Sequence, residues 1–208
     1  MTWPDDYINK VICGDCLEVM KGIPDGAVDL VVTDPPYGVN LKYGNYDDSE
    51  ENWYSLFGAL IPECCRIAQM SFVQSCQIKR LPWIYTNHPP EWLIAWHKGS
   101  PGTQGHVGFN DWEPILVYGK RKGVCMHDHF HATSDPFNNG HPCPKPVKWG
   151  RWLVSRGCQD GDIVLDPFAG SGTTLVAAKQ LGRKYIGIEI NPDYCKIAED
   201  RLRQEELF

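Results

Sequence analysis

No run in this chain approaches the roughly 20 consecutive apolar residues that span a bilayer, and Met1-Thr-Trp-Pro-Asp-Asp6 has neither a basic start nor an apolar signal core. No membrane association is expected, and a cytoplasmic location is. An excess of positive charge is also missing, since 20 Lys and Arg against 26 Asp and Glu leave a net charge of −6. That balance argues against a general polyanion binder, because affinity for DNA comes mainly from phosphate neutralisation. The charges are unevenly spread. Acid gathers at Asp47-Asp-Ser-Glu-Glu51, and base at Lys79-Arg80, Lys120-Arg-Lys122 and between Lys145 and Arg156, so a cationic face on an acidic body stays open. Internal repeats and low-complexity linkers are absent, and 208 residues suffice for one core and are short for two. A single domain over residues 1–208 is expected.

A disulfide framework is missing as well. Nine cysteines are an odd number at irregular spacing, which suits reduced thiols. Cys13-Gly-Asp-Cys16 has redox spacing, and one such pair commonly arises by accident. Cys125, His127, His129 and His131 alternate, with Cys143 further on, but the spacing matches no standard zinc motif. No metal is expected, and the stretch reads as a His-rich surface loop. Residues 121–140 are low in apolar side chains and form the only candidate for a short target-recognition insert, too short for a separate recognition domain.

The most informative stretch is Ile163-Val-Leu-Asp-Pro-Phe-Ala-Gly-Ser-Gly-Thr-Thr-Leu175. Apolar residues run into a carboxylate, two glycines follow one residue apart, and a helical pattern then runs to Gly182, a usual residue just past a helix end. This is strand, tight turn, helix, and it exposes bare backbone beside the unpaired N–H groups of a helix start. A second strand, Lys184 to Ile190, carries Glu189, about 20 residues past the first glycine, where an acid can hold ribose hydroxyls. The unit reads as a nucleoside-binding βαβ half. The third glycine of the dinucleotide fingerprint is replaced by Leu175, and no Gly-Lys-Ser/Thr closes the turn, so a dinucleotide fingerprint is incomplete and a phosphate loop is excluded.

Further strands are predicted at Val11–Cys13, Val28–Thr33, Met70–Ser75, Trp92–His97 and Pro114–Tyr118. Helices are predicted after Asp15, whose pairing with Glu18 is a capping-box pattern, over Asn52–Gln69 with a break or restart at Pro62, over Val147–Arg156, and from Asn191-Pro192 through Leu202. Residues 38–52 read as a mobile polar loop near the mouth of a site. Alternating strands and helices predict an α/β fold, a doubly wound sheet with its ligand at the carboxyl ends of the strands.

A second motif, Thr33-Asp-Pro-Pro-Tyr-Gly38, follows the Val28 strand directly, and two successive prolines there end any regular element. Asp-Pro-Pro-Tyr followed far downstream by Asp-Pro-Phe-Ala-Gly-Ser-Gly-Thr-Thr resembles the amino-methyltransferases of DNA, which methylate adenine N6 or cytosine N4 with S-adenosylmethionine. His141-Pro-Cys-Pro-Lys-Pro146 is similar to that family's His-Pro-x-x-Lys-Pro element. The resemblance covers nearly the whole chain and is weakest at 52–77 and 121–140. It implies a Rossmann-like methyltransferase sheet, mostly parallel with an antiparallel edge strand and, from the motif order, circularly permuted. It implies that Asp34, Pro35, Pro36 and Tyr37 form the catalytic element acting on a base flipped out of DNA, with Tyr37 stacked on it. It further implies that S-adenosylmethionine contacts Asp15, Lys145, Asp166, Phe168, Gly170, Ser171, Gly172, Thr173 and Glu189, with Lys145 at its methionine end. Asp34 at the head of the motif favours adenine N6 over cytosine N4. Dimers are common in the permuted group, so a homodimer is expected. A non-catalytic DNA-binding or partner subunit of the same fold is the alternative of another class. The intact Asp34 and glycines argue against it.

Overall fold

The computed structural model describes residues 1–43, 46–74, 77–99, 108–120, 127–133 and 145–204. Ten strands and six α-helices alternate along these residues. β1 (Lys10–Cys13) leads into α1 (Cys16–Met20), and β2 (Val28–Thr33) ends at the Asp34 motif. A small hairpin, β3 (Lys42–Tyr43) with β4 (Tyr46–Asp47), precedes α2 (Glu50–Ile67), which passes straight into β5 (Ala68–Gln74). A 3-10 turn over Ile78–Arg80 opens α3 (Leu81–Asn87), followed by β6 (Trp92–His97), β7 (Trp112–Gly119) and β8 (His129–His131). The last third holds α4 (Val147–Gly157), β9 (Ile163–Asp166), α5 (Thr173–Gln180), β10 (Lys184–Glu189) and α6 (Pro192–Gln204).

Eight strands form one sheet in the order β1-β10-β9-β2-β5-β7-β6-β8. The first five are parallel, β7 runs antiparallel to both neighbours, and β8 returns parallel to β6. The fold is therefore the expected α/β sheet, mostly parallel. The reversed strand is β7, two places in from the β8 edge. Strands β2 and β9 are neighbours although far apart in the chain, so the ends carrying Asp34 and Asp166 lie side by side.

Alternation along β2 assigns the two faces. Leu30 and Val32 pack with Trp149, Leu153 and Leu175, from α4 and α5. Val31 packs with Met20, Leu60 and Ile67, from α1 and α2. Burial on both faces explains why Leu30-Val-Val32 in β2 are consecutive apolar residues. Two expectations are corrected. Helix α2 starts at Glu50, capped by the Ser49 side chain, and continues through Pro62 without interruption. Burial of Trp53, Phe57, Leu60, Ile61, Cys64 and Ile67 on both sides of the proline outweighs its one missing hydrogen bond. The histidine stretch is in part a strand. Phe130 stacks on Trp152 at 4.1 Å, while His129 and His131 remain exposed on β8. The described residues hold no group of three or more His, Cys, Asp or Glu able to bind a metal. Cys125, Cys143 and most of 121–140 lie outside the described residues. No described helix is long and apolar enough to cross a membrane.

Candidate active site

The carboxyl ends of β1, β10, β9 and β2 open into one cleft enclosing about 1190 Å³, its solvent mouth included. Asp34, Pro36, Tyr37, Asp15, Lys145, Asp166, Phe168, Gly170, Ser171, Thr173 and Glu189 all line it. Residues from the two ends of the sequence thus meet in one cavity.

At one end stands Asp34, held on both oxygens. The Tyr37 hydroxyl donates to Oδ1 at 2.6 Å, and the Lys145 ammonium lies 2.6 Å from Oδ2. Lys145 Nζ also donates to Tyr37 Oη at 2.7 Å. Its side chain is 8% exposed and that of Asp34 20%. The lysine head group therefore serves the Asp34 side of the cleft, while its backbone carbonyl accepts from Thr173 Oγ1 at 3.1 Å. An ionised carboxylate has about four lone-pair sites, so Asp34 retains acceptor capacity toward a ligand.

At the other end Glu189 terminates β10. Its oxygens accept from the N–H of Gly170 at 2.8 Å and of Asn191 at 2.9 Å, which ties the glycine turn to the start of α6. Between the two ends lies Asp166, 4% exposed, accepting from Thr33 Oγ1 at 2.9 Å and from the Phe168 N–H at 3.0 Å. Burial pushes its carboxyl up to about 7, with the Thr174 hydroxyl and the other two donors opposing and the Asp34 charge adding. Asp15 caps α1 by accepting from Leu17 and Glu18 N–H groups. Glu18 turns to Lys21 instead of back to the cap. Cys16 beside it is pushed up to about 12, by burial first and the Asp15 charge second, which makes it an unreactive thiol.

Two predicted site residues are placed differently. Pro35 is buried and Gly172 lies outside the cavity lining. Gly172 has φ +81°, and a Cβ there would meet Ala198 Cβ of α6 at 2.9 Å. Its glycine therefore answers to backbone conformation and helix packing, while Gly170 faces the ligand space. Lining residues outside the predicted set include Leu17, Tyr46, Leu56, Trp149, Ile190 and Tyr194. Ile190 and Tyr194 flank the Glu189 strand end and were open to that inference. Tyr46 and Leu56 arrive from a segment with no motif.

The lining suits a cationic nucleoside. Four carboxyl groups (Asp15, Asp34, Asp166, Glu189) face one ammonium, and Phe168, Leu17 and Ile190 supply apolar walls. A sulfonium-bearing adenosine matches that chemistry, and a polyphosphate does not.

Comparison with known proteins gives a consistent picture. A family model described as DNA methylase, of the N6/N4 type, matches residues 110–200. YubD of Escherichia coli (strain K12), provisionally named a methylase, is 30% identical over 216 residues, covering 94% of this chain and 90% of YubD. YhdJ of the same organism, a DNA adenine methyltransferase, is 30% identical over 244 residues, covering 92% of this chain and 82% of YhdJ. A provisionally assigned DNA modification methylase from Thermus thermophilus, solved with S-adenosyl-L-methionine, superposes with a TM-score of 0.71 at 24% identity, covering 95% of this chain and 94% of that one. That likeness shows the fold.

Proposed function

The chain belongs to the S-adenosylmethionine-dependent amino-methyltransferases of DNA, and from that premise we propose that its target is the N6 amine of adenine, flipped out of the duplex. S-adenosylmethionine supplies an electrophilic methyl group. Everything else required is nucleophile activation and alignment, and the protein's own residues provide both.

An exocyclic base amine is a poor nucleophile because its lone pair is delocalised into the ring. Asp34 accepts one amine hydrogen, which turns the lone pair out of conjugation toward the methyl group. As the nitrogen becomes positive, the fixed carboxylate stabilises the developing charge without reorganisation, and the proton that the methylated amine sheds passes by way of that carboxylate to solvent. Alignment of amine and methyl group contributes up to roughly 7–11 kcal/mol in well-oriented systems. Tyr37 stacks on the base once it has left the helix. Glu189 would hold the ribose hydroxyls, the Gly170 backbone would give the cofactor close access, Asp166 and Phe168 would flank its methionine and nucleoside, and Asp15 would face its adenine.

The observation that carries this reading is Asp34, locked in place by Lys145 and Tyr37 in the cleft that Glu189 and Asp166 also line. Adenine is favoured by the Asp head of the motif and by the similarity to YhdJ. A homodimer would extend the DNA contact of the chain, and sedimentation on DNA checks it. The test of the whole reading is mass spectrometry of nucleosides from DNA treated with the purified protein and the cofactor. N6-methyladenine is expected. N4-methylcytosine alone would overturn the adenine assignment, and no methylated nucleoside would overturn the reaction.

A further inference from the structure

Two buried charges stand outside the cleft. Asp48 is 3% exposed and Arg80 1%, and both act on Gly38, the residue that follows Asp34-Pro-Pro-Tyr37. The Asp48 carboxylate accepts from the Gly38 N–H on one oxygen, and from the N–H groups of Val39 at 3.1 Å and Leu41 at 3.0 Å on the other. Gly38 has φ +63°, which lets successive N–H groups converge into an anion-binding nest. Here the anion is the chain's own carboxylate. Arg80 Nη2 donates to the Gly38 carbonyl at 2.7 Å, and its guanidinium carbon sits 4.4 Å from the centre of the Trp53 ring. A Cβ on Gly38 would lie 2.7 Å from Trp53 Cβ and 2.8 Å from Arg80 Nη2, so the turn is fitted against both.

The arrangement is expensive for a structural brace. Among the described residues, Arg80 Nε and Nη1 are buried without a hydrogen-bond partner, with Glu50 no nearer to Nη1 than 3.9 Å. Apolar packing would close a surface loop with less desolvation. What the charged pair adds is a fixed orientation of two consecutive peptide units. One of them is the Tyr37–Gly38 peptide, so the grip acts one bond from the residue whose hydroxyl donates to Asp34. Tyr46, two residues before Asp48, meanwhile becomes part of the cleft wall.

Building on the methyl-transfer reading above, we propose that Asp48 and Arg80 are positioning residues for the reaction: they clamp Gly38 and thereby fix the Tyr37 ring and the Asp34 carboxylate. Neither touches the reacting atoms. The cofactor end, built from β9, β10 and the glycine turn, is independent of them.

The test compares Asp48→Asn and Arg80→Lys with the unmutated protein, all normalised to folded protein. Single-turnover kcat is expected to fall on the order of 100-fold in Asp48→Asn, the effect of a misplacement near 1 Å, and less in Arg80→Lys, which keeps the charge. The cofactor Kd from calorimetry is expected to stay within twofold in both. Amide hydrogen exchange over residues 37–41 should accelerate in both. A kcat within twofold of the unmutated value in Asp48→Asn overturns the proposal, as does a kcat loss matched by an equal loss of cofactor affinity. If the unmutated protein methylates no DNA, the reading beneath fails by itself. Exchange over 37–41 needs no turnover, and unchanged exchange in both variants then overturns the clamp.

Discussion

Lys145 Nζ stands 2.6 Å from Asp34 Oδ2 and 2.7 Å from Tyr37 Oη, and Tyr37 Oη closes the triangle at 2.6 Å from Asp34 Oδ1. The carboxylate proposed to accept an amine hydrogen is thus oriented through both oxygens before any substrate arrives. Lys145→Met removes the ammonium and leaves the phenol in place. Hydrogen bonds to charged groups contribute roughly 1.5–3 kcal/mol, so the single-turnover rate should fall about ten- to hundredfold. Lys145→Arg, which retains the charge, should lose less. Rapid-quench measurement of methyl transfer checks the order, and an unchanged rate in Lys145→Met would show that Tyr37 alone suffices.

Asp166 sets a pH dependence. Its carboxyl is pushed up from 3.8 to about 7 by burial. Between about pH 4 and 7 the folded protein therefore retains a proton that the unfolded chain has released. The stability of the fold consequently declines as pH rises through that window, and the penalty is complete above 7. Cofactor binding runs the other way, because a cationic ligand favours the ionised carboxylate. Affinity should rise with pH toward 7, by at most about tenfold per unit, and level off above it. Asp166→Asn should abolish the slope. Calorimetry from pH 6 to 8 in buffers of different ionisation enthalpy would detect the released proton, and a flat Kd across that range would contradict the assignment.

Much of this site was legible in the sequence because its parts sit where strands end. Asp34, Asp166 and Glu189 each terminate an apolar run, and a carboxylate at such a point faces the ligand side of an α/β sheet. The glycine turn was legible for the same reason, although the separate jobs of Gly170 and Gly172 were not, since one faces the cleft and the other packs on α6. The clamp on Gly38 escaped because Asp48 lies inside an acidic run that reads as solvated surface, and Arg80 inside a basic pair. Nothing local distinguishes a buried charge from an exposed one until its partners, 10 and 42 residues away, are known. Strand β8 escaped because three residues are too few for periodicity, and its burial depends on Trp152 from a later helix.

Glu189→Ala should weaken the cofactor at two levels. It removes the proposed ribose acceptor and releases the N–H groups of Gly170 and Asn191. The loss of charge-assisted bonds contributes on the order of 1.5–3 kcal/mol, a Kd increase of about ten- to hundredfold. Glu189→Gln keeps one acceptor and should lose less. Calorimetric titration of both variants orders them, and equal affinities for Ala and the parent would remove Glu189 from the cofactor site.

Gly172→Ala separates conformation from packing at the turn. At φ +81° an alanine pays the left-handed penalty of roughly 1–2 kcal/mol. Its Cβ also meets Ala198 Cβ at 2.9 Å and Cα at 3.1 Å, and overpacking of that kind adds typically about 1–3 kcal/mol. The single variant should therefore lose about 2–5 kcal/mol by denaturant unfolding. Adding Ala198→Gly removes the Cβ contact and leaves the backbone penalty, at the further cost of a glycine inside α6, about 1 kcal/mol measurable in Ala198→Gly alone. A double-mutant cycle then isolates the clash: the two substitutions together should destabilise less than the sum of the singles by about 1 kcal/mol or more. Strict additivity would mean that α6 yields to the new methyl group, and that φ alone demands glycine at this position.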